Sequence, residues 1–384
     1  MKKRDIKERL YALNARRTAT PTYSSSLESY SIEARAAEQE LSKSIVESYV
    51  QRASYKPFTQ WILGAMQAVD KQYTDISVQE AARVGEQLKK GLAKKGIGVE
   101  FRLQGSVPCD VHIRGASDVD LLVITKKFWR YDSSGTKAKR GYYSNPVDYC
   151  ALQALVEFRE QLETVATTAF PEAVVEIENS KAIALSGGSF QRKVDAVPAN
   201  WFDSDKFQES ESEADRGIEI LDKKIPKRIR NLPFKHIVEL DTADKKTKGG
   251  LKKAIRLLKN IKAEAEENGE EIKLTSYDIA SFMWHADKEK LATDDGEELK
   301  LLAEVTSFVT LLLSDRMWAK ELSTPNGTTK IFENDSKFDG LTSLSNALNE
   351  YVVQVAVENP NMEIAGSANI NEVLNNLKNV FIPV

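Results

Sequence analysis

The chain has 384 residues, of which 41% are hydrophobic and 29% charged, enough to bury one extended core or two joined ones. A formal net charge of -3 excludes a surface coated in Lys and Arg for broad nucleic-acid binding, so any phosphate site is expected to be a local pocket. The stretch MKKRDIKERLYALNARR lacks the apolar segment of a secretory signal, and no apolar run is long enough for a membrane span. Cys109 and Cys150 form neither a CxxC nor a Cys/His cluster, which leaves a cytoplasmic protein without disulfide framework or structural zinc as the expectation.

Residues 1 to 25 mix basic residues with Thr, Ser and Pro and read as an arm that is poorly ordered or ordered only by packing on the body. Helical patterns follow from Ser26 to about Ser54, near 58 to 70 and from 77 to 95, the last opening with Ser77 and Glu80 at capping-box spacing and ending at Gly96. VEFRLQ, with Val99, Phe101 and Leu103 alternating with polar residues, is predicted to be the first strand, and DVDLLVIT a central one. The polar, aromatic stretch from 126 to 148 reads as a mobile loop before a helix over 147 to 168. AVVEIEN, KAIALSG and FQRKVDAVPA are short strands, and beyond about 210 helical periodicity dominates, over 249–267, 275–291, 296–319 and 341–357. The boundary between strand-rich and helical halves is placed near residue 205.

The chemistry sits where a small-residue turn precedes two carboxylates. On a strand, residues i and i+2 share a face, so Asp118 and Asp120 project together while Val119, Leu121 and Val123 anchor the other side. Carboxylates held that close repel each other and call for a cation, and Mg²⁺, with Mn²⁺ as an alternative, is the hard ion that fits oxygen ligands and substrate phosphate. Asp195, in the apolar KVDAVPA, supplies a third carboxylate; three of them can hold two ions that activate a hydroxyl and neutralise a triphosphate, which is nucleotidyl transfer. Gly105 and Ser106 offer a turn where backbone N–H groups and a hydroxyl meet phosphate oxygens. A lone Asp-x-Asp is most often a surface or capping feature. Order and context carry the reading: strand, Gly-Ser, a spacer, the Asp pair on a second strand, then a carboxylate on another.

That order resembles the polymerase-β-like nucleotidyltransferase superfamily and, within it, the cGAS/DncV-like nucleotidyltransferases (CD-NTases). The likeness rests on Gln104, Gly105 and Ser106, on SDVDLLV around Asp118 and Asp120, and on KVDAVPA around Asp195. Downstream, GGLKKAIRLLKNIK is similar to the family helix with a triphosphate-contacting lysine, which puts Lys259 in that place. LTSYDIASFMW looks like the helix whose Ser-Tyr pair meets the nucleotide, which gives Ser276 to phosphate and Tyr277 to stacking on the base.

The resemblance implies an α+β, bilobal protein: a nucleotidyltransferase core of mixed sheet and helices over 76–205, a mainly helical substrate-binding lobe over 206–384, and an N-terminal arm and helices over 1–75. It implies NTP substrates, ATP and/or GTP with others possible, bound with the metal between the lobes. The product it implies is a cyclic di- or trinucleotide second messenger for a separate effector protein in bacterial antiphage (CBASS-type) signalling. Cys and His are too scarce for the zinc module of the animal DNA sensor, so activation by long double-stranded DNA is not expected. Two alternatives stay open: a template-independent transferase acting on an RNA or protein end, for which KKIPKRIRNLPFK offers local positive charge, and a degenerate nucleotide-binding sensor. A carboxylate-pair hydrolase fits poorly, because residues at i and i+2 cannot flank a scissile bond from opposite sides. Scattered His112, His236 and His285 lie in no nucleophile motif.

Overall fold

The computed structural model describes residues 4–18, 48–53, 55–113, 117–144, 149–359 and 369–384. Its elements run α1 (Ile6–Thr18), α2 (Pro57–Met66), α3 (Lys71–Ala93), β1 (Val99–Gln104), β2 (Val119–Tyr131), α4 (Ala151–Ala169), β3 (Val174–Glu176), β4 (Ile183–Ser186), β5 (Val194–Asp203), β6 (Gly217–Asp222) and β7 (Lys227–Asn231). Then come α5 (Pro233–Lys246), α6 (Gly250–Glu267), α7 (Ser276–Trp284), α8 (Glu298–Ser314), α9 (Asp335–Glu358) and α10 (Ile370–Leu377). Most of the helix expected from Ser26 to about Ser54 lies outside the described residues.

The strands form one mixed sheet in the order β1-β2-β5-β4-β3, with β6 and β7 continuing from β5. β2 and β5 run parallel and the other pairs antiparallel, so the fold is the α+β arrangement of mixed sheet and helical lobe expected from the sequence. Val119, Leu121 and Val123 of β2 face α3 and α4, packing with Val84, Leu88, Leu155 and Leu162 in one core. Leu122 and Ile124 face the other way, onto Val197, Trp201 and Phe234. The period of two along β2 therefore divides its side chains between a core and the face that carries the site.

Several boundaries differ from the sequence expectation. Ser77 does not cap a helix: α3 begins about two turns earlier at Asp70, whose side chain accepts from Gln72 N–H at 2.8 Å, and Ser77 donates to the Tyr73 carbonyl inside the helix. The stretch after residue 125 is not all loop, since Trp129–Tyr131 pair with Trp201–Asp203 beyond an irregularity in β2. Their exposed Lys126, Lys127 and Trp129 hide a backbone engaged in the ladder. Likewise the sheet runs past residue 205 to Asn231, where β7 (KRIRN) is an edge strand whose charges mask its strand character.

The N-terminal helices share the core of the helical lobe. Leu13, Trp61, Ile62 and Met66 pack with Leu251, Ile255, Leu258 and Leu348, all buried. Arg4, Arg9 and Arg16 ion-pair with Glu264 and Glu267 of α6, so within the segment read as an arm residues 6–18 are a helix ordered by packing on the body. α6 is the central strut: Arg256 donates to the Met66 carbonyl at 2.9 Å and the Asp110 carbonyl at 2.6 Å, and Asn260 to Ala65 at 3.0 Å. One helix thus holds both the end of α2 and the loop that follows β1.

Candidate active site

Register assembles the carboxylates. Asp120 of β2 lies opposite Asp195 on parallel β5 and opposite Gln104 on antiparallel β1. Gly105, at φ +78°, turns the chain directly beside the aspartate, and a Cβ there would run into Asp120 Oδ2. Only glycine gives both the left-handed backbone and the close approach. Ser106 follows, its carbonyl accepting from Val111 N–H at 3.0 Å.

Across the cleft, the lobe formed by α5, α6 and α7 supplies the other side. Lys259 is 3% exposed; its ammonium donates to the Val111 carbonyl at 2.7 Å and approaches Ser117 Oγ at 3.4 Å. Ser276 is the first residue of α7, whose N-cap Thr275 forms a reciprocal capping box with Asp278. Tyr277 donates its hydroxyl to Asn326 Oδ1 at 3.2 Å, and its ring lies 4.6 Å from the His236 imidazole at an interplanar angle of 31°. Gln104, Gly105, Ser106, Asp118, Asp120, Asp195, Lys259, Ser276 and Tyr277 all line one cavity of about 380 Å³. The residues singled out in the sequence are therefore brought together from both lobes.

Burial and like charge set the electrostatics of the cavity. Burial, then the charges of Asp195 and Asp118, push the Asp120 carboxyl up to about 7. Asp195 is raised as well, chiefly by burial. Its Oδ1 is buried without a hydrogen bond, and the nearest cation, Lys193 Nζ, stands off at 3.5 Å. Three hard oxygen donors, one with an orphaned buried oxygen, are the donor chemistry a small divalent cation takes. As they stand, however, no three His, Cys, Asp or Glu groups among the described residues converge tightly enough to hold an ion. Lys193 occupies the gap, with Nζ 2.7 Å from Asp118 Oδ2. On the opposite wall, burial lowers Lys259 to about 7, so an arriving polyanion would restore its charge.

Lys193, Asn231 and Thr275 also line the site or its edge without having been singled out in the sequence, and His236 was set aside there as lying in no nucleophile motif. The signal for Lys193 was present, since it lies two residues before Asp195 and so on the same side of the chain entering β5. Thr275 and Asp278 also had capping-box spacing. His236 and Asn231 reach the cavity only because β7 and α5 fold back against the sheet, which no local pattern announces.

Proteins similar to this chain are known. A sequence profile of the cGAS/DncV-like nucleotidyltransferase C-terminal helical domain matches residues 239–352. Over 312 residues, 81% of this chain and 80% of the relative, the sequence is 41% identical to a cyclic dinucleotide synthase CdnE of Yersinia aleksiciae. The fold is similar to that of a STING-associated CdnE c-di-GMP synthase from Flavobacteriaceae sp., with TM-score 0.70 and 24% identity, covering 92% of this chain and 99% of that one. It is also similar to the STING-associated CdnE c-di-GMP synthase from Capnocytophaga granulosa, with TM-score 0.67 and 26% identity, covering 93% of this chain and all of that one.

Proposed function

The chain belongs to the cGAS/DncV-like nucleotidyltransferases, and we propose that its cleft joins NTPs, ATP and GTP among them, into a cyclic di- or trinucleotide that signals to a separate effector in antiphage defence. The observation that carries this reading is the register of Asp120 with Asp195, beside Asp118, opposite Lys259, Ser276 and Tyr277 on the other wall of one cavity. Asp118, Asp120 and Asp195 would hold Mg²⁺, which when bound neutralises phosphate charge and lowers the pKa of the attacking hydroxyl.

The remaining chemistry follows from the side chains. Transfer forms a bond from a ribose hydroxyl oxygen of one nucleotide to the α-phosphorus of the next, breaks the bond to pyrophosphate, and passes the hydroxyl proton to the carboxylate cluster. Ser106 and the turn at Gly105 meet the phosphates without steric cost. Ser276, at the N-terminal end of α7, adds a hydroxyl and the positive end of a helix dipole. Lys259 supplies the ammonium, fixed in place by the Val111 carbonyl. Tyr277 presents a ring whose hydroxyl is already tied to Asn326, so a base stacks on it with little ordering cost.

The test is incubation of the purified protein with all four NTPs and Mg²⁺ or Mn²⁺, then phosphatase treatment and mass spectrometry, beside Asp118→Asn and Asp120→Asn. A phosphatase-resistant cyclic product is expected from the wild type, reduced at least about a hundredfold in either variant. An unaltered rate in a folded variant would sink the carboxylate assignment, and label passing into added RNA would point instead to a transferase that extends polymer ends.

A further inference from the structure

Lys193 does something the transfer reaction does not explain. It lies two residues before Asp195, and Val119 N–H donates to its carbonyl at 3.2 Å, which sets it beside Asp118 at the mouth of the parallel β2–β5 pair. Its ammonium hydrogen-bonds Asp118 Oδ2 at 2.7 Å and faces Asp195 Oδ1 at 3.5 Å. Two of the three carboxylates are thereby organised around a protein cation.

We propose that Lys193 is a built-in counter-ion that keeps the carboxylate cluster assembled in the cation-free protein and is displaced when a divalent cation enters. The inference rests on the reading of Asp118, Asp120 and Asp195 as the cation-binding set. An ion with oxygen ligands at about 2.1 Å that bridged Asp118 and Asp195 would compete with the ammonium for the same two carboxylates and repel its charge at close range.

The side chain suits a temporary occupant. It is a single point charge on a flexible four-carbon stem, whereas arginine would grip with a planar fork. Its side chain is 35% exposed and that of Asp118 43%, so the ammonium can withdraw into solvent without crossing packed core. The ammonium is held by its partners and by little else.

Electron paramagnetic resonance of Mn²⁺, titrated alone into the nucleotide-free full-length protein, tests this. Lys193→Met is expected to bind Mn²⁺ about tenfold more tightly than the wild type, because nothing has to be displaced. In chelator the same variant is expected to melt at a lower temperature, with Mn²⁺ restoring the loss. Lys193→Gln serves as a second variant if the first does not fold by circular dichroism. Equal or weaker Mn²⁺ binding in a folded Lys193 variant would overturn the proposal, since a purely structural ion pair gives no reason for a gain. Wild-type binding that survives Asp118→Asn would instead overturn the carboxylate reading itself, and the proposal with it.

Discussion

Two buried histidines make the protein sensitive to mild acid. His112 and His236 are each lowered to about 4, His236 by burial and His112 by burial together with Lys259 and Arg256. Each has a ring nitrogen, Nδ1, without a hydrogen-bond partner. In the unfolded chain a histidine titrates near 6.5, so between that value and 4 the unfolded state binds more protons and stability falls as pH falls. The loss is about 2 kcal/mol per histidine by pH 5. The raised Asp120 carboxyl works the other way over the same range, so the test is a difference: between pH 7 and pH 5, His236→Gln should lose about 2 kcal/mol less stability than the wild type, read from urea unfolding. An equal loss in that variant would mean the imidazole titrates freely in the fold. The same residues mark how far the sequence could be read. Asp118, Asp120 and Asp195 were legible because strand period and motif order fix their direction locally. His236 was not, because burial against Tyr277 comes from distant segments meeting.

At the scale of the element, α7 and its N-cap bring Thr275, Ser276, Tyr277 and Ala280 to the cavity, and its start is over-determined. Thr275 Oγ1 accepts from Asp278 N–H at 3.1 Å, Asp278 Oδ2 accepts from Thr275 N–H at 2.7 Å, and Lys337 of α9 pairs with the same carboxylate. Ser276 and Tyr277 sit inside that clamp. Thr275→Ala should cost about 1 kcal/mol of stability, the usual loss of an N-cap. It should also weaken NTP binding several-fold, because the hydroxyl and ring next to the cap lose their fixed orientation; calorimetry with a non-hydrolysable NTP would measure it. A stability loss with unchanged affinity would show that the first turn of α7 does not position the nucleotide. This helix was legible in the sequence, with its cap motif intact, as was α6 through its apolar spacing of Leu251, Ile255, Leu258 and Ile261. The β6–β7 hairpin was not: β7 spends most of its side chains on charge, and its identity comes from pairing with Ile218–Asp222.

At the scale of the whole molecule, the decisive fact is that the chain's first helix belongs to its last lobe. α1 places Leu13 in the core shared with α6 and α9 and brings Arg9 and Arg16 to within 3.4 and 3.9 Å of the Glu264 carboxylate. Glu264 is 2% exposed and neither oxygen has a hydrogen bond, so these guanidiniums are what compensates its buried charge. Breaking a buried pair from one side leaves an uncompensated ion and typically costs about 3–5 kcal/mol. Deleting residues 1–18 should therefore lower the unfolding free energy by that order, read from the urea midpoint and slope, far more than loss of a surface arm. Adding Glu264→Gln to the deletion should recover part of the loss, because the amide removes the stranded charge while keeping the shape. A deletion that leaves the midpoint unchanged would show α1 to be an accessory. The expected loss would instead make the N-terminus a structural part of the wall that carries Lys259, since Glu264 and Lys259 stand on the same helix, α6.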